Sequence, residues 1–311
     1  GAKLQSDEQG IVTWDSGDFH YFADVDVDGP LTCHTYFYTM HCDPFVVAPL
    51  TDVVCSMEYE HLARGLKHAL IQDAHALDAE KLVNVSTETV TSWFHPFVPP
   101  QLDERVRKVQ EVGEVLLHFF KGHALNLIRE ANYSAVEAVR LILAYFPGFR
   151  DHAVYKGEHV HFYKRAQILI GDVWAAYGRR STGVGSFHDI DKLTMFGKRH
   201  PGFLSGQRVN PSYSLSLADY RVPQVLRPEG VMVYSGELAD LVDNKKEIAS
   251  GSEMESEIRA ATIQSVERIH AHMVAHGHAI KVIELDWLLW QIGEEAKNTL
   301  QPHHRTLSVY Y

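Results

Sequence analysis

Ser134-Ala135-Val136-Glu137-Ala138-Val139-Arg140-Leu141-Ile142-Leu143 is the stretch from which the rest of the chain is read. Val136, Val139, Ile142 and Leu143 recur every three or four residues, the period of one helical face. Ser134 and Glu137 have the S-x-x-E spacing of a capping box, in which a hydroxyl and a carboxylate take up amides that an opening helix leaves unpaired. Pro147-Gly148 then stops the run. The pattern predicts a helix from Ser134 to just before Pro147.

The same grammar extends in both directions. Leu62, Leu66, Ala69, Leu70 and Ala74 form one apolar stripe, and Ser86 opens a helix ending near Pro96. Val106, Val109, Val112, Leu116, Leu117 and Phe120 mark a helix closed by Gly122. Residues 159–177 read as a helix with Phe162, Ile168, Leu169, Val173 and Trp174 apolar and Lys164, Arg165 and Asp172 charged. Ser252 and Glu255 repeat the capping-box spacing at the head of a long helix to about Ala275, and Ile283 to Glu295 is the last helix. Strands are few: a strand or loop over Ile11 to Phe22, and a short strand at Val309-Tyr310-Tyr311. The expected class is mainly α, packed as one domain over 1–311.

Composition narrows the function classes. The 311 residues are 45% hydrophobic and 22% charged, as in an ordinary globular protein. No apolar run is long enough to span a bilayer, and the first residues show no signal-peptide core. Cys33, Cys42 and Cys55 lack C-x-x-C spacing and suit a reducing cytoplasm. Forty acids against 29 Lys plus Arg give a net charge of −11, which on average repels a polyanion. Nucleic-acid binding is therefore disfavoured, while a substrate with one phosphate needs only a local cationic pocket.

Several constellations carry possible chemistry. In Ala218-Asp219-Tyr220-Arg221-Val222-Pro223-Gln224-Val225-Leu226 the proline disfavours helix at Val222, so Asp219 to Arg221 are expected at a turn or helix start. Asp219 is then either an ordinary cap or a carboxylate facing a cavity. Asp24, Asp26 and Asp28 suggest a calcium loop, but the twelfth position holds Thr35 instead of Glu. Among 20 histidines, His272 and His276 have metal-pair spacing without the HExxH glutamate, and read as a solvated face with His270 and His278. His303-His304-Arg305 reads as an exposed tail or as a phosphate contact. Gly183-Val184-Gly185 lacks the strand a dinucleotide loop requires. Trp287 and Trp290 have core spacing, and a buried Asp286 beside them needs a partner.

An ordered set of motifs then carries a resemblance. Asp18-Phe19-His20-Tyr21-Phe22, Phe162-Tyr163-Lys164-Arg165-Ala166-Gln167-Ile168-Leu169, Leu193-Thr194-Met195-Phe196, Ala218-Asp219-Tyr220-Arg221-Val222-Pro223-Gln224, Glu257-Ile258-Arg259 and Tyr310-Tyr311 occur in that order. Together they resemble the queuosine salvage protein family, the queuosine 5′-phosphate N-glycosylases, over 58–196 and 218–311. The resemblance implies a helical fold akin to helix-hairpin-helix DNA glycosylases. It also implies cleavage of queuosine 5′-monophosphate to queuine and ribose 5-phosphate, with no metal or organic cofactor. Asp219 would be the catalytic carboxylate, with Tyr220 and Arg221 beside it at the substrate. Phe196 would stack on the base, and His20, Asp286 and Trp287 would contact it. Gln291 stands where some members carry an acid. Lys164, Arg165 and His304 are the candidates for the phosphate.

Two departures stand against the family pattern. Gly197 to Leu217 interrupts the run from Met195-Phe196 to Ala218-Asp219 and reads as a loop insertion. Residues 34–55 replace a usual hydrophobic stretch, and the family's N-terminal helices are expected to be missing. The rival readings are a non-catalytic queuine- or nucleotide-binding member spoiled by that insertion, and a true DNA glycosylase, which the charge disfavours.

Overall fold

A computed structural model of the chain describes residues 59–177, 185–193 and 220–310. His20, Phe196, Asp219, the Asp24 to Asp28 run, the cysteines and the 197–217 segment lie outside the described residues. The described protein is mainly helical. Its backbone contacts group into two units, each gathered from separate stretches.

One unit holds, of the described residues, 59–150, 168–177, 185–190 and 309–310. It contains α1 (Tyr59–Gln72), α2 (Ala79–Leu82), α3 (Thr87–Phe94), α4 (Leu102–Phe120), α5 (Ala124–Glu130) and α6 (Ala135–Tyr145). Leu62, Leu66, Ala69 and Leu70 are buried along α1, whereas Ala74 lies exposed beyond its end. Gly122, at φ +76°, follows α4 in a left-handed conformation that a side chain would strain. The Phe120, Phe146 and Phe149 rings pack with centroids 6.1 and 6.2 Å apart in its core.

The opening stretch behaves as its pattern predicts, with two refinements. The Ser134 hydroxyl accepts from the Glu137 amide, but Glu137 turns its carboxylate to Arg140, so the reciprocal half of the box is not formed. Asp189 supplies the missing acceptor: it takes the Ala135 amide at 2.6 Å and the Ser134 hydroxyl at 2.8 Å. The buried stripe of α6 runs through Ala135, Ala138, Val139, Leu141 and Ile142, leaving Val136 and Leu143 half-buried. Small alanines rather than the larger Val136 and Leu143 face the core.

The other unit holds 151–167, 191–193 and 220–308 of the described residues. It contains β1 (His152–Tyr155), β2 (Glu158–His161), α8 (Arg221–Leu226), α9 (Gly236–Asp243), α10 (Glu253–Ala275) and α11 (Val282–Ala296), with the first turn of α7 (Lys164–Ala176). β1 and β2 pair antiparallel, His152 opposite His161 and Tyr155 opposite Glu158. This corrects the helix expected over 159–177. Its first residues close a hairpin, and the helix begins only at Lys164 because Tyr163 takes a positive φ of 50°. The short helices α2, α5 and α9 were also not anticipated. Val309 and Tyr310 form a turn, not a strand.

α10 and α11 end close to where the sequence predicts. Ser252 accepts the Glu255 amide, while Glu255 reaches back to the Gly251 amide and across to Arg259. Leu238, Val242, Ile248 and Ile258 close a small core between α9 and α10.

Candidate active site

Pro223 explains the start of α8. A proline lacks the amide donor that the first turn of a helix does not use, so the helix opens at Arg221 with Tyr220 as its cap. Of the turn or helix start expected there, the structure gives a helix start at Tyr220 and Arg221, although Val222, which the proline was expected to keep out of helix, is the second residue of α8. All six residues of α8 are buried, Arg221 among them.

Arg221 is held on several sides. Its Nε donates to Glu294 Oε1 at 2.5 Å, its Nη1 donates to Gln224 Oε1 at 3.0 Å, and its guanidinium carbon lies 4.9 Å from the Tyr220 ring centre. Gln224 donates in turn to the Gln301 carbonyl at 2.7 Å. The Tyr220 ring packs 4.8 Å from that of His303. Gly293 lets α8 approach α11 closely, since a Cβ there would stand 3.1 Å from both Arg221 Cβ and Val225 Cγ2.

Asp286 lies seven residues before Gly293, close to two helical turns, and so shares the face that meets α8. The residue is 3% exposed. Trp287 and Gln291, four residues apart, form a neighbouring half-buried face. Trp290 is half-buried as well, so the two tryptophans are not full core. The structure thus brings Tyr220, Arg221 and Asp286 onto one packed helix pair, with Trp287 and Gln291 flanking it.

The exposed-tail reading of His303-His304-Arg305 is overturned. His304 is buried, and the strand-like backbone of Arg305 pairs with Glu247 while its carbonyl accepts the Ile248 amide at 2.7 Å. A main-chain pairing so far apart in sequence has no local signature. Gln224 ties this segment to α8 through Gln301.

Lys164 and Arg165 are buried at the start of α7, 3% and 2% exposed. They enter the unit by another route. The Asp151 carbonyl accepts the Phe162 amide at 2.9 Å, closing the hairpin base. The Asp151 carboxylate is gripped by Arg259, whose Nη1 donates to Oδ1 at 3.0 Å and whose Nη2 donates to Oδ2. Arg259 also reaches Glu255 and lies 3.8 Å over the Phe162 ring.

On the hairpin, His152, His159 and His161 share one face with ring centres 6.0 to 6.5 Å apart. Burial, then the like charges of His152 and His159, push the His161 pKa down. Its Nδ1 lies 2.8 Å from the Tyr163 hydroxyl. His272, His276 and His278 are exposed, as a solvated face requires, whereas His270 is half-buried with its Nε2 2.9 Å from the Ile280 carbonyl oxygen. Among the described residues no group of three or more metal-ligating side chains is arranged to hold an ion, and no helix is long and apolar enough to cross a membrane.

Sequence reasoning missed the contacts of Glu294, Gln301, Asp151 and Arg259. Arg259 belongs to the Glu257-Ile258-Arg259 motif, whereas the partners of Glu294, Gln301 and Asp151 leave no local signal.

Comparison with known proteins adds a separate finding. The family model described as queuosine salvage protein matches residues 49–208 and 212–311. A Dictyostelium discoideum protein named queuosine 5′-phosphate N-glycosylase/hydrolase is 41% identical over 303 residues, spanning 96% of this chain and 85% of that relative. Proteins of the same name from Sphaerobacter thermophilus and Mus musculus are 38% and 33% identical, each spanning 81% of this chain and 72% of the relative.

Proposed function

The chain belongs to the queuosine salvage protein family, and from that premise we infer that it hydrolyses the N-glycosidic bond of queuosine 5′-monophosphate. The observation that carries this is the match along most of the chain to relatives that bear that name. Queuine and ribose 5-phosphate are the products, and the freed base serves tRNA modification. We take 1–311 as one glycosylase-like domain acting in the cytoplasm on a small nucleotide, without direct nucleic-acid contact.

The chemistry suits the residue types. As the bond from C1′ to the base breaks, positive charge grows on the sugar; water adds its oxygen at C1′ and a proton goes to the departing base. Asp219 is the carboxylate that meets that charge. At about 4 Å and an effective dielectric near 20, the interaction amounts to about 4 kcal/mol, or about a thousandfold in rate. Phe196 and Trp287 offer the base aromatic surface, and His20 and Gln291 offer it hydrogen bonds. Asp286, an acid on a buried helix face, suits the cationic amine of the base. Tyr220 and Arg221 fix the turn that follows Asp219, and Lys164, Arg165 and His304 supply the phosphate with cationic or hydrogen-bonding partners.

Incubation with queuosine 5′-monophosphate, with free queuine followed by chromatography, tests the reading. Release of queuine and ribose 5-phosphate in equal amounts is expected. Tight queuine binding without any release would replace the enzyme by a binding protein.

A further inference from the structure

We propose that Arg259 is a positioning residue for recognition of the 5′-phosphate, acting through Asp151 and the first turn of α7. The inference rests on the nucleotide-hydrolase reading above and goes beyond it by assigning a residue that touches no substrate group.

The argument begins with what a buried ion pair does. Arg259, Asp151 and Glu255 are 3%, 1% and 1% exposed. Removing such charges from water offsets most of their mutual attraction, so net stability is a poor account of them. What a guanidinium gives that an apolar side chain does not is direction, because its planar fork fixes a carboxylate in two places. Arg259 uses that fork on Asp151, bonding both carboxylate oxygens. Its flat face lies over Phe162 at 3.8 Å.

Two partners of Arg259, Asp151 and Phe162, are the residues that set where α7 begins, while Glu255 holds it from within α10. Asp151 immediately precedes β1, and Phe162 immediately follows β2. The Phe162 amide donates to the Asp151 carbonyl, so the hairpin is closed by the same residue whose carboxylate Arg259 grips. Tyr163 then turns through a positive φ, and Lys164 and Arg165 follow at once, both buried. With only Tyr163 between the clamp at Phe162 and the cations, the direction in which Lys164 and Arg165 leave the hairpin is set from α10. A shift of an ångström at Phe162 passes directly to them. Phosphate recognition depends on such placement, since a buried cation held off its partner loses most of its worth.

The test compares Arg259→Lys and Asp151→Asn with the wild-type chain, using two ligands. One is queuosine 5′-monophosphate, read as KM from queuine release; the other is queuosine without its phosphate, read as an inhibition constant by competition. In the wild type the phosphate should tighten binding. Arg259→Lys keeps the charge but loses the fork and should raise KM for the nucleotide by about tenfold, leaving the nucleoside constant within about threefold. Asp151→Asn should move the same ratio in the same direction, and it decides the matter if Arg259→Lys does not fold. Equal losses for both ligands would make the cluster merely structural and overturn the proposal. So would a wild-type protein indifferent to the phosphate. Absence of queuine release from the wild type is a different result and counts against the hydrolase reading itself.

Discussion

Arg221 Nε and Glu294 Oε1 stand 2.5 Å apart, joining the first residue of α8 to the last turn of α11 across 73 residues of sequence. Arg221 follows Asp219 by two residues, so this bond anchors the backbone next to the proposed catalytic carboxylate. The arginine side chain is 7% exposed and the glutamate 21%. Glu294→Ala takes one charged acceptor from a nearly buried cation, and should cost about 2 kcal/mol. Urea unfolding checks it: the midpoint should fall with an unchanged slope, and Glu294→Gln, which keeps an acceptor, should lose less.

Gly293 makes that approach possible. Gly293→Ala places a methyl 3.1 Å from Arg221 Cβ and Val225 Cγ2, and neither is a flexible chain end. These neighbours must give by a few tenths of an ångström, at about 1 kcal/mol. Thermal unfolding should register the loss, and a variant as stable as the wild type would show the helices freer to separate than their packing implies.

Asp219→Ala removes the carboxylate assigned to the developing sugar charge. Turnover should fall at least about a thousandfold. Queuine affinity, measured by calorimetry, should stay near the wild-type value, because the base-contacting groups lie elsewhere in the chain. Retained turnover would return the carboxylate role to another residue.

His161 gives a pH dependence with a defined sign. Burial, His152 and His159 hold its pKa below the ordinary 6.5. In the window beneath 6.5 the unfolded chain therefore binds more protons there than the folded one. The contribution of neutral His161 is complete above 6.5 and is lost as pH falls through the lowered pKa. Denaturation at pH 7, 6 and 5 should show stability dropping on acidification, with a shallower drop in His161→Asn.

Asp189 completes the cap of α6 by accepting from Ala135 and Ser134. Asp189→Ala strands a buried amide at the positive end of the helix and should cost about 2 kcal/mol, against about 1 kcal/mol for Ser134→Ala. The two losses should not add, since the side chains share one bond. Chemical denaturation of the single and double variants measures this.

The helices were legible because their signals are local. A serine capping an amide three residues on needs only the geometry of one turn, and Ser86, Ser134 and Ser252 each accept such a bond where the sequence placed it. Pro223 likewise marked a turn or helix start just before it from the stiffness of one ring, and the structure has the helix start. The family was legible for a different reason, as an ordered set of short runs that no single periodicity produces.

What only the tertiary structure decided is where the polar ends of those helices are satisfied. Glu137 and Glu255 do not return to their capping serines: Arg140 competes for one, and Gly251 and Arg259 for the other. The hairpin before α7 was hidden because four-residue strands carry too few alternations to outweigh the apolar run of the helix behind them. Asp151 with Arg259, Asp189 with Ser134, and Glu294 with Arg221 lie 108, 55 and 73 residues apart. Charges at such separations leave no mark on local spacing. They meet because packing of the apolar faces brings their elements together, and burial then makes each polar partner obligatory.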